Sequence, residues 1–173
     1  MATGKDRYNC IFEQGYFETN RESEGQIIRR EIQVSKDEAV KTIIHYQYVA
    51  WKSNESPETT SDVIELIEKM QSSVRRNKEA TALIHCSDGA GRTGTFCAIL
   101  NLIERLKCEN RVDVFRTVKD LRDCRPGMVQ TLDQYRFCFE TVSVYLSSFN
   151  LYSNFDVSNG KQITQEESLY QNL

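Results

Sequence analysis

The spacing of apolar positions changes part-way along the chain, from about two residues to about 3.6. The early part reads as β structure. Residues 10–12 and 16–19 are short candidate strands around Gly15, and residues 26–34 alternate in part, with Ile28, Ile32 and Val34 apolar. The polar run Arg21, Glu22, Ser23, Glu24 and Gly25 reads as a hairpin loop. Residues 41–50 are rich in β-branched and aromatic side chains (Ile43, Ile44, Tyr46, Tyr48, Val49) and predict the firmest strand of this part. A polar loop follows over residues 52–57.

From Thr59 the helical period takes over. Asp62 stands three residues on as a capping-box partner; Val63, Leu66, Ile67 and Met70 make an apolar stripe. Arg75, Arg76 and Lys78 close this helix with cations at its C-terminus. A second helix is predicted over residues 95–106, with Phe96, Ile99, Leu100 and Ile103 inward. A third covers residues 112–123, with Val114, Phe115, Val118 and Leu121 inward, and Pro126 stops it. The last starts at Thr131, with Gln134 completing a capping box, and runs to about Ser148. Beyond it the periodicity is lost. Residues 1–150 read as one domain and residues 151–173 as a polar, disordered tail.

Composition narrows the function classes. The 173 residues suffice for one domain with a core, and a net charge of −3 without charge blocks argues against a nucleic-acid partner. No apolar run is long enough to span a membrane, and the N-terminus has no signal-peptide core, so the segment reads as cytoplasmic without membrane contact of its own. The six cysteines are irregularly spaced, none as C-x-x-C, and read as reduced thiols.

One stretch carries chemistry. Ala82, Leu83 and Ile84 read as a short buried strand, followed by His85, Cys86, Ser87, Asp88, Gly89, Ala90, Gly91, Arg92, Thr93 and Gly94, and then by the second helix. A strand, a glycine-rich loop and a helix N-terminus gather free N–H groups and the positive end of a helix dipole around an anion. The same N–H groups favour a thiolate at Cys86, and Arg92 can grip phosphoryl oxygens bidentately. A nucleophile beside an oxyanion clamp suits phosphoryl transfer through a cysteinyl-phosphate.

This stretch resembles the signature loop of the classical protein-tyrosine phosphatases, H-C-S-A-G-x-G-R-T-G. The resemblance extends over residues 26–155 and is similar to the C-terminal half of a receptor-type phosphatase domain. Arg125, Pro126, Gly127, Met128, Val129 and Gln130 make it most like a second, membrane-distal domain. The family domain is longer, so the chain is expected to be incomplete at the N-terminus; Lys5, Asp6, Arg7 and Tyr8 echo the family's K-N-R-Y loop by coincidence. The resemblance implies an α/β fold with a twisted mixed sheet flanked by helices. It implies hydrolysis of phosphotyrosine without metal or cofactor, phosphotyrosine proteins as substrates, and an adjoining phosphatase domain of the same receptor as a partner.

The site roles follow from the same match. Cys86 is the nucleophile and Arg92 the transition-state clamp. The loop from Ser87 through Asp88, Gly89, Ala90 and Gly91 to Arg92 binds the phosphate. His85 either anchors the loop and supports the thiolate or is a satisfied buried histidine. Thr93 hydrogen-bonds the departing thiolate, caps the helix, or both. Gln130 and Gln134 match the glutamines of Q-T-x-x-Q-Y, which position the attacking water; for Gln134 a capping role alone is equally open.

Two departures from the pattern matter. The family's Trp-Pro-Asp loop maps onto Trp51, Lys52 and Ser53, so the general-acid aspartate is a serine, which cannot deliver a proton at neutral pH; Glu55 is displaced by two positions. Asp88 stands where the family has alanine, and its charge should weaken phosphate binding and raise the Cys86 pKa. The expectation is a weakened tyrosine phosphatase; the alternative is an inactive pseudophosphatase serving as a regulatory or binding module.

Overall fold

The computed structural model describes residues 16–77, 80–153, 155–156 and 161–162. The candidate strand at 10–12 and Lys78 lie outside them. The chain divides into two compact units, Met1–Ala50 and Trp51–Leu173.

The first unit is an antiparallel meander of β1 (Tyr16–Glu24), β2 (Ile27–Lys36) and β3 (Ala39–Tyr48), in that order across the sheet. Of the run 21–25 only Gly25 lies in the turn. Arg21 pairs with Arg30 and Glu24 with Ile27, and the turn is confined to Gly25 and Gln26. Its polar residues belong instead to an edge strand, where charges pair across the ladder: Arg29 of β2 meets Glu22 of β1 at 3.7 Å and Arg30 meets Glu18 at 3.2 Å, while Arg29 also meets Glu31 of its own strand at 2.6 Å. Both two-residue turns begin with a positive φ, 54° at Gly25 and 53° at Asp37, which matches the twist of a tight hairpin.

The second unit is helical: α1 (Thr60–Arg76), α2 (Gly91–Glu109), α3 (Val114–Cys124) and α4 (Leu132–Ser153). Two residue pairs beyond α4, β4 (Phe155–Asp156) and β5 (Lys161–Gln162), bond antiparallel to each other. α2 lies against α3 and α4, and α4 also packs on α1. Ile99, Leu102 and Ile103 of α2 are fully buried, as are Val63 and Ile67 of α1. Each such side chain contributes about 1.5–3 kcal/mol through the apolar area it removes from water. Phe115, expected inward, is instead 69 % exposed, and α3 buries Val114, Thr117 and Val118.

The helix ends show which capping signals are used. Thr59 stands at the N-cap of α1 but makes no side-chain capping bond. Asp113, ahead of α3, accepts from Arg116 N. At α4 the box is reciprocal: Thr131 Oγ1 accepts from Gln134 N at 3.1 Å, and Gln134 Oε1 from Thr131 N at 3.4 Å.

The α/β class is as expected. Among the described residues the sheet is antiparallel throughout, and residues 82–84 stay outside it: they have no ladder pairing, and Leu83 is 88 % exposed. Three apolar residues record a demand for burial, but a strand also needs a neighbour to satisfy its backbone, and none of the described strands pairs with this one.

Candidate active site

The loop that carries Cys86 and Arg92 runs directly into α2. The helix begins at Gly91, so Arg92 and Thr93 sit in its first turn and Ala90 is the N-cap, without a side-chain cap. Thr93 is thus a first-turn residue and not the cap. Gly89 has φ +68°, a left-handed conformation suited to glycine, and a Cβ there would lie 3.2 Å from Arg125 Nη2. Gly91 faces the amides of Gln130 and Gln134; a Cβ would collide with Gln130 Oε1.

Within the loop the N–H groups turn inward. Gly89 N donates to Cys86 Sγ at 3.2 Å, and Ala90 N donates to Asp88 Oδ1 at 3.2 Å. The Cys86 thiol itself donates to the same Oδ1 at 3.1 Å, and Gln130 Nε2 donates to Asp88 Oδ2 at 2.8 Å. Arg92 reaches Ser87 Oγ at 2.8 Å and the Trp51 carbonyl at 3.0 Å.

Electrostatics follow from these contacts. Burial pushes the Cys86 thiol up, and Asp88 pushes the same way. Hydrogen bonding to the sulfur from the Thr93 side chain and backbone and from Gly89 N–H outweighs both, so the thiol sits below its usual 9.0. Asp88 therefore raises the thiol as expected without deciding the net direction. The Thr93 hydroxyl is buried in the first turn of α2, and a thiolate at Cys86 is the acceptor within its reach. The Cys86 thiol, Ala90 N–H and Gln130 amide together hold the Asp88 carboxyl down at about 2.

Gln134 is fully buried and committed on every side. Its Oε1 accepts from Gln130 N at 3.0 Å as well as from Thr131, and its Nε2 donates to the Glu55 carbonyl at 3.3 Å. These bonds give it the capping role. Gln130 is exposed and faces the loop. His85 is exposed, so the reading as a satisfied buried histidine does not hold. Ser53 lies in an exposed turn beside Asn54, whose φ is 64°. That turn is pinned by Trp51, buried 6.4 Å from Phe137, whose Nε1 donates to the Glu55 carbonyl at 2.7 Å. The Glu55 carboxylate points to Lys52 at 3.9 Å.

Two arginines were not singled out by sequence. Arg125 donates to the Asp88 carbonyl at 3.0 Å, and Arg122 holds the carbonyls of Met128 and Val129 at 2.9 and 2.8 Å. Val129 has φ 59°, a strained state for a β-branched residue, fixed also by its N–H to the Ala90 carbonyl at 3.2 Å. The only sequence signal was the place of Arg125 in the segment 125–130, and Arg122 carried none. Among the described residues, no cluster of three or more His, Cys, Asp or Glu could hold a metal ion, and no helix is long and apolar enough to cross a membrane.

The family model for protein-tyrosine phosphatase matches residues 4–143. The chain belongs to the protein-tyrosine phosphatase family. The match begins well before residue 26 and takes in Lys5, Asp6, Arg7 and Tyr8, which lie outside the described residues. Human receptor-type tyrosine-protein phosphatase alpha is 40 % identical over 121 residues, covering 70 % of this chain and 15 % of the relative. Human receptor-type tyrosine-protein phosphatase epsilon is 40 % identical over 123 residues, 71 % of this chain and 18 % of the relative. Mouse receptor-type tyrosine-protein phosphatase C is 36 % identical over 151 residues, 82 % of this chain and 12 % of the relative. The matched segment thus spans less than a fifth of these receptor-type phosphatases.

Proposed function

We propose that the chain hydrolyses phosphotyrosine esters through a cysteinyl-phosphate on Cys86, at a reduced rate. The observation that carries the reading is the Cys86 sulfur itself: it receives the Gly89 N–H, lies in the same loop as the Arg92 guanidinium, and has its thiol held below the usual range. Attack by the sulfur forms an S–P bond, and the ester oxygen leaves with its electron pair. Ser87, Asp88, Gly89, Ala90, Gly91 and Arg92 surround the phosphate, and Thr93 and Gln130 serve the second step. Phosphotyrosine proteins are the substrate class. The receptor-type relatives support a place on the inner side of a membrane, and the segment 125–130 is the ground for reading this chain as a second domain beside a further phosphatase domain.

Ser53 and Asp88 are the grounds for the reduced rate. A leaving phenolate needs a proton that Ser53 cannot give, a loss of about 10²–10⁴. The Asp88 carboxylate also occupies Ala90 N–H and the Gln130 amide, donors that a phosphate and a water would otherwise use. That occupancy favours a second reading, a regulatory module that keeps the loop but does not turn over. Burst kinetics separate the two. An aryl phosphate with an acidic leaving group should give a burst of phenolate and a phosphorylated Cys86, with a phosphotyrosine peptide cleaved far more slowly. Cys86→Ser should abolish both. An absent burst would leave the regulatory module; equal rates on ester and peptide would refute the missing acid.

A further inference from the structure

We propose that Asp88 is the general base of the second step, taking the proton of the water that attacks the phosphorylated Cys86. The proposal rests on the phosphatase reading above. Asp88 replaces an alanine and reads at first as only an obstructing charge, but its two oxygens have distinct neighbours. Oδ1 accepts from the Cys86 sulfur at 3.1 Å, the atom that would carry the phosphoryl group. Oδ2 accepts from Gln130 Nε2 at 2.8 Å, the amide matched to water positioning. The carboxylate therefore bridges the reacting sulfur and the group that holds the nucleophile. Ala90 N–H on Oδ1 and Arg125 on the Asp88 carbonyl fix this exposed residue in place. The other candidates are turned elsewhere: Ser53 offers a hydroxyl, and the Glu55 carboxylate pairs with Lys52 at 3.9 Å.

The step balances. Water oxygen forms a bond to phosphorus and gives one proton to Asp88. The S–P bond breaks, and its electron pair stays on sulfur as a thiolate, received by the Gly89 N–H and the Thr93 hydroxyl. Phosphate departs with the water's other proton. Asp88 then passes its proton to the thiolate, which regenerates the thiol-to-carboxylate hydrogen bond seen in the structure. In the resting loop the carboxyl titrates at about 2, because the thiol, Ala90 N–H and Gln130 amide all donate to it. Phosphorylation replaces the S–H donor with a negative phosphoryl group, which raises the proton affinity when a base is needed.

Rapid-quench kinetics on the 173-residue chain with p-nitrophenyl phosphate test this, reading the phenolate burst and the lifetime of phosphorylated Cys86 by intact mass. Asp88→Asn should leave the burst as fast or faster, since a like charge is gone, while phosphoenzyme decay slows by about 10²-fold or more. Formate should restore decay in Asp88→Ala by standing in for the carboxylate. A faster burst with unchanged or faster decay in both variants would overturn the proposal and leave Asp88 as an obstructing charge. Absence of phosphorylated Cys86 in every protein would overturn the phosphatase reading itself, a separate and recognisable result.

Discussion

At Cys86 and Asp88 two acids share one proton across 3.1 Å, and their titrations are linked. With the proton on sulfur, the carboxylate gains a donor and the thiol loses acidity. Thr93 and Gly89 pull the other way by solvating the thiolate, and the net effect places the thiol below 9.0. Iodoacetamide alkylation of Cys86 should therefore show a midpoint below that of a free thiol. Thr93→Val should move the midpoint up by removing a donor to the thiolate, and Asp88→Asn should move it down by removing the charge. The opposite order would mean that the carboxylate assists ionisation. Asp88 also makes stability depend on pH. Its folded carboxyl titrates at about 2 against an ordinary 3.8. A depressed acid stabilises the fold fully above the ordinary value, and that contribution is lost as pH falls through the folded value. Urea midpoints measured from pH 4 down to pH 2 should fall less in Asp88→Asn than in the parent; parallel curves would mean that the resting contacts of Asp88 do not persist in solution.

The phosphate loop is held from behind by the segment between α3 and α4. A Cβ on Gly94 would meet Val129 N at 2.5 Å and the Met128 backbone at 3.0 Å, so α2 and this segment are in backbone contact. Gly94→Ala should destabilise by about 1–3 kcal/mol, because overpacking exceeds the gain of about 0.5–1 kcal/mol expected for replacing a mid-helix glycine. An unchanged thermal midpoint would show that the segment yields. Gln134 joins α4, the Gln130 and Thr131 amides and the Glu55 carbonyl, so Gln134→Leu leaves buried polar groups unpaired. Its loss should exceed the roughly 0.5–2 kcal/mol of Thr131→Ala, which removes one cap bond; chemical denaturation of both variants compares them. These contacts mark the limit of what was legible in the chain. The four helices follow from 3.6-residue spacing, and the α4 capping box from the pair Thr131 and Gln134. Cys86 and Arg92 follow from loop chemistry. The backing by Arg122, Arg125 and the strained Val129 does not, because contacts between distant residues leave no local period. The same holds for residues 82–84, whose apolar character was visible but whose pairing depends on another strand.

Across the chain, burial is uneven. Among the described residues every buried apolar side chain except Ile27 lies between Trp51 and Val142. The meander of the first unit keeps its hydrogen-bonded ladder, yet Val40 is 62 % exposed, Phe17 56 % and Ile43 49 %. Three strands need an apolar face removed from water to be stable on their own, and Ile27 is the one buried apolar side chain among the described residues of this unit. The helical unit has Ile99, Leu102 and Ile103 in the middle of α2, with α3 and α4 against the same helix. The two units should therefore open with different free energies. Native-state hydrogen exchange of the 173-residue chain should show the amides of β2, although bonded on both sides, exchanging orders of magnitude faster than those of Ile99 to Ile103 in α2. Adding a tight phosphate analogue such as vanadate, which is expected at the loop of α2, should slow exchange in α2 and leave β2 unchanged. Equal protection in β2 and α2, moving together with vanadate, would show instead that sheet and helices unfold in one cooperative step.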